Sequence, residues 1–82
     1  MIRVHVLVHL KPDILDAEGQ AIAQAVVAAG HDAVASVRAG RSFHIQFNSK
    51  DRALVEREAE RLCREALANP LIETWEWTVE AR

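Results

Sequence analysis

The stretch Val37-Arg38-Ala39-Gly40-Arg41-Ser42 lies near the middle of the 82-residue chain. It decides the fold because the same order of elements, a strand, a helix and a strand, can be read on each side of it. Gly40 is expected to form the turn, since glycine adopts positive φ without a Cβ penalty and tight hairpins need such a residue. The sequence is therefore interpreted as two βαβ halves that join at this turn.

Three segments alternate apolar and polar side chains with a period of two, which predicts half-buried strands. The first covers residues 2–11 and ends at Pro12, because proline cannot donate to a strand ladder. The second covers residues 42–48, after the central turn, and the last centres on residues 75–79. Residues 34–39 are short and weakly patterned, and they are interpreted as an edge strand.

The first predicted helix follows the first strand and repeats apolar residues at helical spacing. Either Asp16 or Asp13 can cap it, because each carboxylate can accept from the free N–H groups of the first turn. Gly30 is expected to end this helix as a left-handed cap.

The second predicted helix has one apolar face and one charged face, on which Glu60 and Arg64 form a favourable pair. Ser49 or Asp51 caps its start. The helix ends at Asn69-Pro70, because proline disfavours helical backbone in the residue before it.

The order β-α-β-β-α-β predicts a ferredoxin-like α+β sandwich, in which two helices cover one face of a four-stranded antiparallel sheet. One domain is expected to span residues 1–82, since the chain is too short for two. A domain of this size buries only about 60% of its unfolded surface and often gains burial from a partner subunit. Leu7, within the polar set on the other sheet face, favours such an assembly.

Composition narrows the class of protein. The formal net charge of -2 argues against a nucleic-acid-binding domain, which usually carries a basic excess. One cysteine cannot form an internal disulfide, which favours a cytoplasmic protein. The polar alternation at the start predicts no signal peptide, and no apolar run is long enough to predict a membrane span.

Candidate chemical residues are few. His5, His9 and His44 share one sheet face, but polar cross-strand pairs explain them better than a metal site. Cys63 lies on the apolar helix stripe and is expected to be a buried hydrophobic residue rather than a nucleophile. The sequence has no phosphate-binding loop, dinucleotide fingerprint or paired-cysteine motif. We therefore expect no catalytic, cofactor-binding or metal-binding residue in this chain.

Three motifs, in order, resemble those of the PurS family. The first, at the start of the first helix, is Ile14-Leu15-Asp16-x-x-Gly19-x-Ala21-Ile22. The second, at the central turn, is Val37-Arg38-x-Gly40-Arg41. The third, at the end of the second helix, is Cys63-Arg64-x-x-Leu67-Ala68-Asn69-Pro70-Leu71-Ile72-Glu73.

The resemblance implies a small, non-catalytic subunit of phosphoribosylformylglycinamidine (FGAM) synthase, an ATP-dependent ligase of de novo purine synthesis. That enzyme converts formylglycinamide ribonucleotide to the amidine with ammonia from glutamine. The implied partners are a PurL-type synthetase, which uses ATP and magnesium, and a PurQ-type glutaminase, with the chain itself a homodimer or tetramer. This subunit would help the two partners assemble and transfer ammonia.

The motif residues are the candidates for contact with partners: Leu15, Asp16, Gly19, Arg38, Gly40, Arg41, Asn69 and Pro70. Helix capping and turn geometry are the simpler explanation for Asp16, Gly19 and Gly40. For Arg38 and Arg41 we favour partner contact, because a charged turn at a hairpin tip gains nothing from folding. An alternative function is a regulatory domain of the ACT type, which shares the predicted topology and binds a small metabolite at a dimer interface.

Overall fold

A computed structural model of the protein describes residues 1–80. Its elements are β1 (Ile2–Leu10), α1 (Ala17–Ala28), β2 (Gly40–Phe47), α2 (Arg52–Leu62) and β3 (Glu73–Glu80). A π-helical segment, Cys63–Leu67, continues α2. The strands form one antiparallel sheet in the order β2-β1-β3. The α+β class, with two helices and an antiparallel sheet, is therefore confirmed.

β1 is the centre of the sheet, because β2 pairs with one of its edges and β3 with the other. Val4, Val6 and Val8 are completely or almost completely buried on its inner face. The alternation predicted for this strand is therefore confirmed.

α2 covers part of this inner face through Val55 and Ala59, and Cys63 of the π-helical segment continues the same buried row. The Glu60 carboxylate accepts hydrogen bonds from the indole N–H groups of Trp75 (3.3 Å) and Trp77 (3.0 Å) on β3. These bonds fix α2 over the β3 half of the sheet.

The prediction of a hairpin and an edge strand at the centre of the chain is wrong for the described residues. These residues form three strands rather than four. Residues 34–39 lie outside any strand, and no turn separates them from β2. Gly40 has no positive φ; it pairs with His9 as the first residue of β2. A Cβ there would lie 2.6 Å from the Val8 carbonyl oxygen, so glycine permits close approach to β1 instead of a turn.

α1 does not cover the sheet, which corrects the expectation of two helices on one face. No α1 residue belongs to the core cluster, and Ile22 and Val27 are 40% and 43% exposed. The radius of gyration is 16.1 Å, whereas a compact chain of this length has about 12 Å. The molecule is elongated because α1 and its connections extend away from the sheet.

The helix ends follow local chemistry. Asp16, not Asp13, caps α1, and Asp51 caps α2 by accepting from the N–H of Leu54 at 3.2 Å. Gly30 follows α1 with φ of 106°, which confirms the predicted left-handed cap. In residues 1–80, no helix is long and apolar enough to cross a membrane.

Replacing Glu60 with alanine should lower the free energy of unfolding by roughly 1 kcal/mol, because two indole N–H groups lose a charged acceptor that is partly screened by solvent. Denaturant unfolding followed by tryptophan fluorescence measures this loss. Glu56, which pairs with Arg52 on the same helix, provides the control, and its alanine variant should change stability by less than about 0.5 kcal/mol. Equal losses in the two variants would contradict the assigned role of Glu60.

Candidate functional site

The three sequence motifs meet at one end of the sheet, where β1 ends and both β2 and β3 begin. His9 is opposite Gly40, and Leu10 is opposite Glu73. We call this region, which comprises residues 10–19, 37–41 and 69–73, the junction end. The motifs are far apart in sequence, and the antiparallel pairing of both neighbours with β1 brings them together.

Asp16 links the first and second motifs. One carboxylate oxygen accepts from the N–H of Gly19 at 2.9 Å and the other from the N–H of Ala39 at 2.7 Å. The bond from Gly19 and, to a smaller extent, the bond from Ala39 hold the pKa of the buried Asp16 carboxyl below its ordinary value. The positive charge of Arg38 lowers this pKa further. The carboxylate is thus both the cap of α1 and a clamp on the segment that leads into β2.

Gly19 allows this close packing. A Cβ at this position would collide with the Val37 carbonyl oxygen and lie 2.6 Å from a carboxylate oxygen of Asp16. Gly19 is buried, although it lies in the first turn of a helix whose other residues are exposed or half-buried. Glycine lowers the stability of a helix relative to alanine, and the contact that it permits between the first two motifs offsets this loss.

Arg38 joins the same region to the end of β1. Its Nη2 donates to the carbonyl oxygens of Leu10 and Lys11, each at 3.1 Å. Arg38 also lines an open cleft of about 690 Å³, together with Pro12 and Arg41. Arg38 therefore contributes to folding, which the expectation of a free hairpin tip did not include.

Arg41 links the second and third motifs through Glu73. Its Nη2 lies 2.8 Å from both carboxylate oxygens of Glu73, and Glu73 also accepts from the N–H of Asn69 at 2.7 Å. The bond from Asn69 and the pairing with Arg41 lower the pKa of Glu73. The Asn69 side chain in turn accepts from the N–H of Leu71, which shapes the turn that ends the second helix.

The structure brings most of the predicted site residues together. Asp16, Gly19 and Arg38 form one cluster, and Arg41 and Asn69 form a second one through Glu73. Gly40 lies between the clusters at the start of β2, while Leu15 and Pro70 are exposed in the adjoining turns, Leu15 at 71%. Their contact with partner proteins stays a prediction.

Glu73 is the residue that sequence reasoning missed. It closes the third motif and aligns with the start of β3, but it was not assigned a role. Its position in that motif was the available signal. Only the sheet register shows that it lies within reach of Arg41, which is 32 positions away.

The histidines considered as metal ligands, and the cysteine considered as a nucleophile, all have contacts that a structural role explains. The His5 and His44 rings stack at 4.4 Å, and His5 hydrogen-bonds to Ser42 at 2.7 Å, as expected for polar cross-strand neighbours. Among residues 1–80, no group of three histidine, cysteine or acidic side chains is arranged to hold a metal ion. Cys63 is fully buried, and burial raises the pKa of its thiol.

Comparison with known proteins agrees with the motifs. Residues 3–81 match the family model for PurS, described as phosphoribosylformylglycinamidine (FGAM) synthase. The chain belongs to the PurS family. PurS proteins are subunits of FGAM synthase in purine biosynthesis, and this chain is such a subunit, which works with the other subunits of that enzyme.

Individual PurS proteins resemble the chain over its whole length. The PurS subunit of Mycobacterium leprae is 37% identical over 82 residues, with 100% of both chains covered. The crystal structure of Methanocaldococcus jannaschii PurS matches with a TM-score of 0.89 and 30% identity, over 100% of this chain and 99% of that one. A chain of the PurLQS structure from Thermotoga maritima shares the fold, with a TM-score of 0.89 at 20% identity over 96% of each chain.

The Asp16 clamp should weaken only in acid. Its folded-state pKa lies below the ordinary value of 3.8, so its stabilising contribution is complete above that pH and is lost as pH falls through the lower folded value. Amide NMR should show the Gly19 and Ala39 resonances unchanged from pH 7 to pH 5 and shifting together below about pH 4. Asp16→Asn should remove this titration, and shifts centred near pH 5 or above would contradict the assignment.

Proposed function

We propose that this chain is the non-catalytic subunit of FGAM synthase that holds the glutaminase and the ATP-dependent synthetase together while ammonia passes between them. Free ammonia is protonated and diffuses away in water, so a glutamine-dependent ligase needs its two active sites held in a sealed arrangement. The observation that best supports this proposal is that parts of all three family motifs lie together at the junction end. There, Asp16, Arg38 and Arg41 each bond to a segment that is distant in sequence.

The surroundings of the reactive side chains support a non-catalytic role. Cys63 is inside the core, and the raised pKa of its thiol disfavours the nucleophilic thiolate. Asp16 and Glu73 are held ionised by backbone N–H groups, which suits structural clamps better than proton transfer. ATP and magnesium are then used by the synthetase partner, and no cofactor is assigned to this chain.

The proposed partners are a PurL-type synthetase and a PurQ-type glutaminase, with this chain present as a homodimer or tetramer in the cytoplasm. Arg38 and Arg41 suit partner contact because both are exposed at the same end of the sheet. The bonds described within residues 1–80 engage the Nη2 atom of each guanidinium, and an arginine has several further donors. We also propose that the ferredoxin-like, four-stranded arrangement belongs to the assembled protein.

The coupling role predicts a difference between two nitrogen sources. Amidine formation by the matching glutaminase and synthetase is measured with glutamine and with ammonia, in the presence and absence of this chain. The glutamine reaction should require the chain, whereas the ammonia reaction of the synthetase should persist without it. If neither glutamine-dependent nor ammonia-dependent turnover responds to the chain at any concentration, the coupling role is wrong, and a stability screen with metabolites would test the ACT-type alternative.

Arg38→Ala should lower glutamine-dependent turnover about tenfold at limiting subunit concentration, which corresponds to about 1.4 kcal/mol of lost interaction. The sheet and α2 should keep their circular-dichroism spectrum, because Arg38 lies outside the core. Arg57→Ala, on the exposed face of α2, is the matched control and should leave turnover unchanged. Equal turnover of the two variants would show that Arg38 does not contact a partner protein.

A further inference from the structure

We propose that the open cleft at the junction end binds a nucleoside monophosphate, with Arg38 and Arg41 on the phosphate and apolar side chains against the base. This inference goes beyond the proposed function, because it gives the chain a small-molecule ligand of its own. It also differs from the ACT-type alternative, which places a metabolite at a dimer interface. The cleft is lined within one chain, by residues 7–10, 12 and 38–42.

The charge of the cleft is positive. Two arginines line it, and none of its lining residues is acidic, although the whole chain has a formal net charge of -2. The bonds from Arg38 go to neutral carbonyl oxygens, those of Leu10 and Lys11. Both oxygens of the nearby Asp16 carboxylate accept from backbone N–H groups. The charge of Arg38 is therefore compensated only in part, and the cleft attracts an anion.

Both guanidinium groups are held in position without a ligand. Arg38 is fixed by its bonds to the end of β1, and Nη2 of Arg41 lies 2.8 Å from both carboxylate oxygens of Glu73. The bonds described within residues 1–80 leave the N–H groups on Nε and Nη1 of each arginine for a ligand. Side chains that are already ordered lose less conformational freedom on binding, and guanidinium groups match phosphate oxygens in paired hydrogen bonds.

Gly40, His9 and Ser42 add space and polar groups beside the arginines. Gly40 lacks a side chain, so its backbone lines the cleft and a ligand can approach it closely. The Ser42 hydroxyl lies 2.7 Å from Nε2 of His5; when it accepts from that nitrogen, its own proton can be donated to a phosphate oxygen. The imidazole of His9 carries a ring N–H in either tautomer.

Apolar side chains form the rest of the lining and indicate what the phosphate is attached to. Leu7 is 39% exposed within the polar set on the outer face of the sheet, and Leu10, Pro12 and Ala39 also line the cleft. The volume of about 690 Å³ lies in the range of small-molecule sites, so a free phosphate ion would leave most of it unfilled. A nucleobase suits these apolar side chains better than a sugar rich in hydroxyl groups.

The phosphate group also suits the charge of the cleft. Two guanidinium groups match the charge of a phosphate monoester, about -2 near neutral pH, better than the single charge of a carboxylate. The ligand class is therefore a phosphate monoester with an apolar, flat body.

An amide NMR titration of the 82-residue chain with AMP, inorganic phosphate and adenosine, at constant ionic strength, tests the site. AMP should shift the resonances of residues 7–10 and 38–42, with a dissociation constant below about 1 mM. Inorganic phosphate and adenosine should each bind at least about tenfold more weakly, because each supplies only one part of the ligand.

Two variants with matched controls separate the contributions of charge and apolar contact. Arg38→Gln should weaken AMP binding about tenfold, because a charge-assisted hydrogen bond is lost, whereas Arg57→Gln on the exposed face of α2 should not change it. Leu7→Ser should weaken AMP binding about threefold and leave phosphate binding unchanged. Leu54→Ser is its control, because Leu54 is also 39% exposed but lies on α2.

Three results would overturn the proposal: no shift at residues 7–10 or 38–42 with 10 mM AMP, about ten times the expected limit; equal AMP binding by either variant and its control; or phosphate binding as tight as AMP binding, which indicates a site for a free anion. If Arg38→Gln fails to fold, Ser42→Asp, which adds a carboxylate to the cleft, replaces it with the same expected loss. The glutamine assay tests coupling separately. AMP binding without glutamine-dependent turnover would reject coupling alone, and such turnover without AMP binding would reject the nucleotide site alone.

Discussion

The pairing of β1 with a strand on each of its edges is the constraint on which the rest of this structure depends. It buries the valines of β1 and gives α2 a surface to cover. It also sets the position of the junction end, because two strands antiparallel to β1 must both begin where β1 ends. Motifs from three distant parts of the chain therefore meet without any loop having to reach across the molecule.

Sequence reasoning predicted the local elements well because their causes are local. Period-two alternation, carboxylate caps, the glycine after α1 and the proline after the second helix each act within a few residues. The placement of α1 was not predictable in the same way. Its apolar surface indicates that the helix packs against another surface. The sequence pattern does not show whether that surface belongs to the same chain or to another molecule, because it is the same in both cases.

Gly40 and Arg41 show a second limit of sequence reasoning. A glycine can be required because the backbone adopts a positive φ or because another backbone segment approaches closely, and the neighbouring residues in sequence do not distinguish these reasons. At Gly40, φ is not positive and the Val8 carbonyl oxygen lies close, so close approach is the reason. Arg41 was expected to gain nothing from folding, yet it pairs with Glu73 across the end of the sheet. Such a pair depends on register over a long separation, which composition and spacing do not encode.

The exposed apolar surface of α1 also links the amount of this protein in a cell to the amount of its partners. Chaperones and proteases recognise exposed apolar segments and act on chains in proportion to the time those segments stay uncovered. Binding to any partner that covers the helix removes chains from that pool by mass action. Subunits made in excess would be degraded, so their stoichiometry would be corrected after synthesis, without matched rates of translation.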